Sequence, residues 1–432
     1  MADPLKFSLQ RKSLLSGNAR IQVPWVKVTI GGYTFGIFDN KTKQKPTVGS
    51  DYKVDYPNYI RNLTVTKING QVNQYTLGIT YPITQFDDPN FFEKVFSRAS
   101  RDRKIVFTYG DAAYPAYTYK DEEAVITGIS QSFDISGSAI TYEIRAVSGA
   151  ALTASGTITR LATGNKVKPS DEIKALFKSA DSNLRKTFYG MTTADLDTLI
   201  AGDDQPVVLE SKRNVSALDY LAYLASCMIP KGTKPGLSKD IYILTFHDDS
   251  SLDPTYEASH GSAAGPYFKV SKVTYGQNYL SDAYEIDIGY NTRTVVHSFS
   301  IDSNENFSIY YDYQKEINKE NYVHRLSKDG TWETIYSPEY MPRNNKFTTE
   351  PEDITWWTKA TKYPISATIT VQGLLRPATL LQYVRLNVIF AGGHKHISSG
   401  LYIVTKQTDT INETGYMTQL TLTRVDGDNN YT

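Results

Sequence analysis

An alternating pattern over residues 363–425 constrains the fold more than any other feature of the chain. Between Ile365 and Val371, apolar residues take turns with Ser and Thr. This pattern is typical of a strand with one buried face, because successive side chains leave a pleated backbone on opposite sides. A second alternating run covers 384–390, an apolar run over 401–404 starts a third strand, and a fourth strand covers 416–425. Gly373 and Gly392-Gly393 separate them, so we predict a four-stranded antiparallel meander.

The closing hairpin of this meander has a counterpart near the other end of the chain. Four positions match at constant spacing: Thr405 with Thr127, Gly415 with Gly137, Leu422 with Ile144, and Val425 with Val147. Upstream, three apolar residues also correspond: Leu386 with Ile105, Val388 with Phe107, and Phe390 with Tyr109. Because hairpins share such patterns, coincidence is the alternative. We predict one β-module present twice.

Chain length and net charge restrict the classes of protein to which this chain can belong. A chain of 432 residues exceeds one ordinary core, so two to four domains are expected. Lys and Arg together number 46, as do Asp and Glu, which argues against an unspecific nucleic-acid or membrane binder. The 32 tyrosines favour β structure. They also suit broad contact surfaces, although half-exposed sheet faces explain them equally well.

The single cysteine and the absence of a long apolar run indicate the compartment. Cys227 has no second cysteine for an internal disulfide or a thiolate cage, so a disulfide-stapled secreted domain is not expected. No secretory signal is visible after Met1, and no apolar run approaches the roughly 18 residues that span a bilayer. We predict a soluble protein made in the cytosol.

Changes of pattern divide the chain into predicted parts. A mainly β fold with an α+β middle is expected. The predicted parts of the first half are a polar arm (1–20), a first β-barrel with one helix (21–150) and a Gly/Ser-rich linker (151–168). An α+β middle domain (169–267) and a second β-barrel (268–311 and 363–427) follow, and an insertion that serves as a contact loop (312–362) interrupts this barrel.

Local signals place several elements within these parts. Asn69-Gly70 predicts a hairpin turn, and Asp88-Pro89 predicts the start of the barrel helix. Ser216 with Asp219 predicts a capped helix in the middle domain, followed by a strand over 241–246.

Side chains able to carry catalysis are scarce and poorly grouped. His394 and His396 flank Lys395 behind two glycines, which favours a solvated hairpin tip over a metal site. Asp88 is best explained as a helix cap, and Asp248-Asp249 as a turn after a strand. No nucleophile elbow, phosphate loop or dinucleotide fingerprint is present. We predict no enzymatic activity, no catalytic residue, no metal and no cofactor.

Two groups of residues are candidates for contacts with other proteins. The barrel helix offers Phe91 on its apolar stripe and Arg98 and Arg101 near its end. The basic run over 98–104 is better explained by the helix dipole than by nucleic-acid binding. The second group is aromatic and contains Trp332, Trp356 and Trp357.

The closing segments resemble the C-terminus of phage baseplate hub proteins. The resemblance is carried by Val371-Gln372-Gly373, by 385–390, by Ser399-Gly400-Leu401-Tyr402-Ile403-Val404 and by 418–425. In that family a glycine-containing strand precedes a Ser-Gly-x-Tyr-x-Val strand and a Thr-rich strand that ends in Arg. The capped helix over 214–222 is similar to a helix of the family's middle domain. The insertion over 312–362 has no match.

This resemblance implies a structural virion protein with two tail-tube-like barrels in each subunit. It implies a homotrimeric ring at the tail baseplate, assembled in the host bacterial cytoplasm. The implied partners are a hexameric tail tube protein, distal tail or wedge baseplate proteins, a trimeric central spike, and DNA that passes through the lumen without specific binding. No membrane is implied.

Two other functions are open from the sequence. A carbohydrate- or receptor-binding tail protein would also be β-rich, with Trp332, Trp356 or Trp357 on an exposed sugar platform. A cell-wall hydrolase would need two carboxylates that face each other across a cleft.

Overall fold

A computed structural model describes most of the chain. The described residues are 24–37, 56–57, 59–82, 103–111, 119–134, 139–149, 157–161, 163–179, 191–231, 240–248, 267–274, 283–289, 296–303, 310–311, 322–326, 332–336, 365–372, 380–390, 392–396 and 398–425. The helix predicted after Asp88 and the arm over 1–20 lie outside them.

Twenty-three strands and three helices make up the described part of the chain. The first strands are β1 (Pro24–Ile30), β2 (Tyr33–Ile37), β3 (Tyr56–Pro57), β4 (Ile60–Ile68), β5 (Gln74–Pro82), β6 (Lys104–Asp111), β7 (Tyr119–Asp134) and β8 (Ala139–Ser148). The middle elements are β9 (Thr157–Arg160), β10 (Lys166–Val167), α1 (Pro169–Lys178), α2 (Leu196–Leu199), β11 (Val207–Val208), β12 (Lys212–Ser216), α3 (Ala217–Ser226), β13 (Asp240–His247) and β14 (Tyr267–Thr274). The last strands are β15 (Tyr284–Gly289), β16 (Val296–Ser303), β17 (Tyr310–Tyr311), β18 (Tyr322–Leu326), β19 (Trp332–Tyr336), β20 (Ile365–Gln372), β21 (Tyr383–Ile389), β22 (Gly400–Asn412) and β23 (Gly415–Arg424).

One 14-stranded sheet dominates the molecule. Its order is β16-β20-β23-β22-β4-β5-β8-β7-β6-β1-β2-β3, with β21 beside β22 and β15 beside β21. Nearly all neighbours are antiparallel; β2 with β3 and β15 with β21 are parallel. The prediction of a mainly β fold with an α+β middle is confirmed.

The strand order within this sheet occurs twice. The first module runs β4-β5-β8-β7-β6, and the second runs β16-β20-β23-β22-β21 in the same order. Each module encloses its own apolar core, one around Leu77 and Phe107 and the other around Ile369 and Leu386. Burial of one such side chain stabilises the fold by about 1.5–3 kcal/mol.

Bulges occur at equivalent places in the two modules. The β7–β8 register shifts between Ile126 and Gly128, and the β22–β23 register shifts between Val404 and Lys406. The bulged residue is threonine in both, since Thr127 Oγ1 donates to Arg145 O at 3.2 Å and Thr405 Oγ1 donates to Thr421 O at 3.1 Å. A bulge is a specific feature of a strand pair. The predicted match of Thr405 with Thr127 is therefore confirmed.

A second pair of bulges aligns the opening strands. The β4–β5 register shifts between Ile60 and Asn62, and the β16–β20 register shifts between Val296 and Ser298. Strand β16 is thus the counterpart of β4, and Phe299 corresponds to Leu63. This correspondence was not visible in the sequence.

The predicted matches of Leu422 and Val425 are wrong in register by two residues. Leu422 lies opposite Val404, and Ala146 lies opposite Ile126, so Leu422 corresponds to Ala146 and not to Ile144. The reason is that the β22–β23 turn is shorter than the β7–β8 connection.

The match of the preceding strands also shifts. Val384 lies opposite Tyr402 as Ile105 lies opposite Ala124, so Val384, and not Leu386, is the counterpart of Ile105. The strand face was predicted correctly, because a shift by one alternation period preserves it.

The middle unit, which runs from β9 to β14, packs its helices on the β13–β14 pair. Ile173 and Phe177 of α1 and Leu221 and Leu224 of α3 are buried in one core with residues of both strands. The predicted cap of α3 is confirmed, since the Ser216 hydroxyl accepts a hydrogen bond from Asp219 N at 3.0 Å.

Three local predictions are wrong. Part of the predicted linker forms β9, which pairs with β12, because tertiary pairing can order a Thr-rich segment that has little intrinsic signal. Strand β14 pairs with β13 and packs in the middle core, whereas 268 was predicted to open the second barrel. Strand β17 pairs with β18, and β18 with β19, so the segment around 310 joins a separate three-stranded sheet that includes part of the insertion.

Within the ranges given above, no helix combines the length and the apolar character needed to cross a bilayer.

Candidate assembly interface

Strand β22 joins the two modules by changing its partner halfway along. Its first half pairs with β21, from Gly400 to Ile403, and its second half pairs with β4, from Lys406 to Asn412. The bulge at Thr405 lies between the two halves. Since a bulge increases local twist and bends a strand, it redirects β22 from one module onto the other.

The second half of β22 packs against β4 through apolar side chains. Ile411 lies opposite Leu63, and both side chains are fully buried. Ile411 and Tyr416 of the second module belong to the apolar core of the first. The two modules therefore share a core as well as a sheet.

We call the pairing of the second half of β22 with β4 the joint. A buried ion pair lies beside it. Lys67 Nζ donates to Glu122 Oε1 at 2.5 Å, and both side chains are almost fully enclosed. Burial is the largest single influence on the pKa of Lys67 and lowers it, but Glu122, Tyr119 and Asp409 together outweigh burial and raise that pKa above its usual value. The Tyr109 hydroxyl donates to Glu122 Oε2 at 3.1 Å, and the Tyr75 hydroxyl, which donates to Asp248 at the shorter distance of 2.8 Å, lies 3.1 Å from the same oxygen. The negative charge of the buried Glu122 side chain is thus balanced by the positive charge of Lys67.

A second buried carboxylate belongs to β22 itself. Asp409 accepts hydrogen bonds from Thr418 Oγ1 and Gln407 Nε2 at 2.6 Å each, and from Tyr416 OH at 3.1 Å. Burial raises the pKa of Asp409, and the hydrogen bond from Thr418 only partly opposes this. Gln407 Nε2 also donates to Tyr119 OH of the first module at 2.9 Å. Gln407 therefore links the modules by a hydrogen bond, and Asp409 holds the Gln407 side chain from within the second module.

A third buried carboxylate attaches the middle unit. Asp248 directly follows β13 and accepts hydrogen bonds from three groups of the first module: Ser148 Oγ at 2.5 Å, Asn73 Nδ2 at 2.7 Å and Tyr75 OH at 2.8 Å. Burial raises the pKa of Asp248, and these hydrogen bonds counteract part of the rise. Asp248 follows a strand as predicted, but it is buried and hydrogen-bonded.

The hairpin predicted at Asn69-Gly70 is confirmed and lies where the three units meet. Gly70 adopts φ +71°, which glycine accepts without strain. Gly70 N donates to Leu244 O of the middle unit at 2.8 Å, and Asn69 N donates to Thr405 O of the second module at 3.2 Å. The hairpin therefore fixes the middle unit against both modules.

The contact residues predicted from the sequence do not lie at this joint within the described chain. Trp332 begins β19, and only its backbone is described. Phe91, Arg98, Arg101, Trp356 and Trp357 lie outside the described residues. Their role in contacts stays a prediction.

The buried carboxylates were missed by sequence reasoning. Asp409 stands at an inward position of an alternating strand, where a charged residue is unusual. That position was the available signal. Glu122, within Asp121-Glu122-Glu123, gave no comparable signal, because a run of acids is typical of a solvated surface.

The described residues offer little for metal chemistry. Among them, no three His, Cys, Asp or Glu side chains are grouped to hold a metal ion. His394 is exposed, and His396 Nδ1 lies 2.7 Å from Ser398 Oγ. The three buried carboxylates each accept hydrogen bonds from neighbouring side chains, an arrangement suited to holding units together.

Solved structures are similar to this chain at low sequence identity. A tail protein from Neisseria meningitidis MC58 matches over 93% of this chain and 97% of its own, with 12% identity and a TM-score of 0.44. A 43 kDa tail protein of prophage MuSo2 from Shewanella oneidensis matches over 93% and 98%, with 11% identity and a TM-score of 0.48. A type VI secretion system component of E. coli, described as similar to the T4 tail proteins gp27 and gp5, matches over 86% and 74%, with 10% identity and a TM-score of 0.42. No protein-family model matches the chain, and no curated protein matches it significantly in sequence.

Proposed function

We propose that this protein is the hub of a phage tail baseplate, a trimeric ring that joins a hexameric tail tube to a trimeric central spike. One observation carries the proposal: a single chain holds the same β-module twice, and the two copies are joined edge to edge by β22 and β4. Three such chains present six similar modules. A ring of that kind meets sixfold symmetry at one end and threefold symmetry at the other.

Stiffness of the joint supports a structural role. The modules share a sheet, an apolar core and the hydrogen bond from Gln407 to Tyr119. A joint of this kind holds two modules at a fixed angle, which a closed ring requires. The resemblance of the closing strands to hub proteins supplies the setting in a tail.

We assign the parts of the chain to this role as follows. The barrels (21–150, and 268–311 with 363–427, without β14 and β17) form the ring, and the middle domain (169–267) braces them. Strand β14 pairs with β13, so we assign it to the middle domain and not to the second barrel. The insertion (312–362) with Trp332, Trp356 and Trp357, and the helix residues Phe91, Arg98 and Arg101, are contact residues for the tube, wedge or spike proteins. DNA passes through the lumen without specific binding, and the ring requires no cofactor.

Negative-stain imaging of the purified protein tests the proposal. We expect class averages with threefold symmetry, six lobes and a central hole. Obligate rings of this kind bury about 2,000 Å² or more at each interface, so the ring should persist on dilution. Compact particles without a hole, in the presence and absence of tube protein, would contradict the hub function.

A further inference from the structure

The second half of β7 is an open edge. From Gly128 to Asp134, β7 pairs with β8, and no described strand pairs with its other side. Phe133 is 62% exposed and Ile129 is 38% exposed. An open edge with apolar side chains is a template for pairing with another strand, and proteins usually protect such edges.

The outer side of β16 is open as well. Strand β16 pairs with β20, and within the described chain no strand covers its opposite edge. Phe299 and Ile301 are only half-buried, while their counterparts Leu63 and Val65 in β4 are fully buried. The difference arises because β22 covers β4, whereas β16 has no such cover among the described strands.

The internal joint shows how these two edges fit. By the bulge alignment, β7 is the counterpart of β22, and β16 is the counterpart of β4. Ile411 and Phe133 occupy equivalent positions, as do Leu63 and Phe299. In the joint, Ile411 lies opposite Leu63 and is buried, but Phe133 is exposed. The chain therefore carries one complete joint and both halves of a second.

We propose that the second half of β7 pairs antiparallel with β16 of a second copy of this chain. The register repeats that of β22 on β4, with Phe133 opposite Phe299, Ser132 opposite Ser300 and Gln131 opposite Ile301. The inference rests on the proposed ring and identifies the contact that closes it.

The chemistry of the two edges fits this register. Phe133 packs against Phe299, an aromatic cross-strand pair. Ser130 faces Asp302, so a hydroxyl can donate to the carboxylate where Thr66 and Thr408 contact each other in the internal joint, at 3.5 Å between their Oγ1 atoms. The contact is heterologous, since β7 and β16 differ. Heterologous contacts form a ring when the rotation closes, and three copies alternate internal and external joints around it.

Engineered disulfides test the register. We expect the double variant Ser132→Cys/Ser300→Cys to form covalent dimers and trimers on a non-reducing gel. Directly opposed Cα atoms in antiparallel strands lie about 4.5–5.5 Å apart, within the range that a disulfide spans. The matched control is Thr64→Cys/Thr410→Cys, which are opposed in the internal joint and should close within one chain. A mixture of the two single Ser variants should give dimers at most.

A charge at the edge supplies a second test. Phe133→Glu should convert the ring to single chains, while Leu161→Glu, at a residue exposed to a similar extent, should leave it intact. Closure of the Thr64/Thr410 control without cross-links in the Ser132/Ser300 variant would overturn the proposed pairing.

The two proposals fail in different ways. A ring that persists in Phe133→Glu and gives no Ser132/Ser300 cross-link would leave the hub function standing with a different contact. Cross-linked copies that form open chains without a hole would support the strand pairing and contradict the hub. Single chains that give no cross-link would contradict both.

Discussion

At the scale of residues, the joint depends on charges that water does not reach. Lys67 donates to Glu122, and its Nζ lies 4.1 Å from the centre of the Tyr119 ring. Removal of two charges from water is costly, and the cost is offset only when each charge has partners. Lys67 has a carboxylate and an aromatic face, and Glu122 has Lys67 and the hydroxyl of Tyr109.

Lys67→Met should therefore be strongly destabilising. The substitution leaves Glu122 as a buried carboxylate without its cation, and loss of one partner of such a pair costs about 3–5 kcal/mol. Urea unfolding measures the change in the free energy of unfolding. The matched control is Lys104→Met, because Lys104 pairs with Glu123 on the surface, where an ion pair contributes about 1 kcal/mol or less. Equal losses in the two variants would contradict the importance of the buried pair.

At the scale of elements, the modules differ beside β21. Strand β15 pairs with β21 in parallel, whereas β1 pairs antiparallel with β6, the counterpart of β21. Gly289 ends β15 with φ +126°, and a Cβ there would lie 2.0 Å from Ile389 O. The close approach of the two backbones thus requires glycine.

Gly289→Ala should weaken this strand pair. Backbone strain of this kind costs about 1–3 kcal/mol, so we expect faster hydrogen exchange of the β15 and β21 amides and a lower free energy of unfolding. Gly202→Ala is the control, since the nearest atom to an added Cβ is Lys174 Nζ at 3.8 Å, an ordinary contact. Unchanged exchange in Gly289→Ala would contradict a tight β15–β21 contact.

Sequence periodicity predicted most strands but not their partners. The alternation around Val384 and Leu420 defines which face is buried, and that face is the same whichever strand lies alongside. The change of partner within β22 gave no such signal, because Thr405 is ordinary in a strand. The buried carboxylates were missed for a related reason. Asp409 and Asp248 are stabilised by residues distant in sequence, which a local pattern does not contain.

At the scale of the whole molecule, duplication of the β-module explains why one chain has a complete strand pairing between its modules and also two matching edges that no described strand covers. The internal joint buries Ile411 against Leu63, while the matching residues Phe133 and Phe299 remain partly or largely exposed in a single chain. The proposed pairing of these edges between copies would bury them and extend the sheet. In the proposed ring of three chains no such edge stays open, and this would account for the apolar residues at these positions.

The mass of the protein in solution tests this account most directly. Sedimentation equilibrium of the unmodified protein should give three times the chain mass of 48.5 kDa across micromolar concentrations. Phe133→Glu should give a single chain mass under the same conditions, and Leu161→Glu should give the trimer. A mass of 48.5 kDa for the unmodified protein at every concentration would contradict the ring and the pairing that closes it.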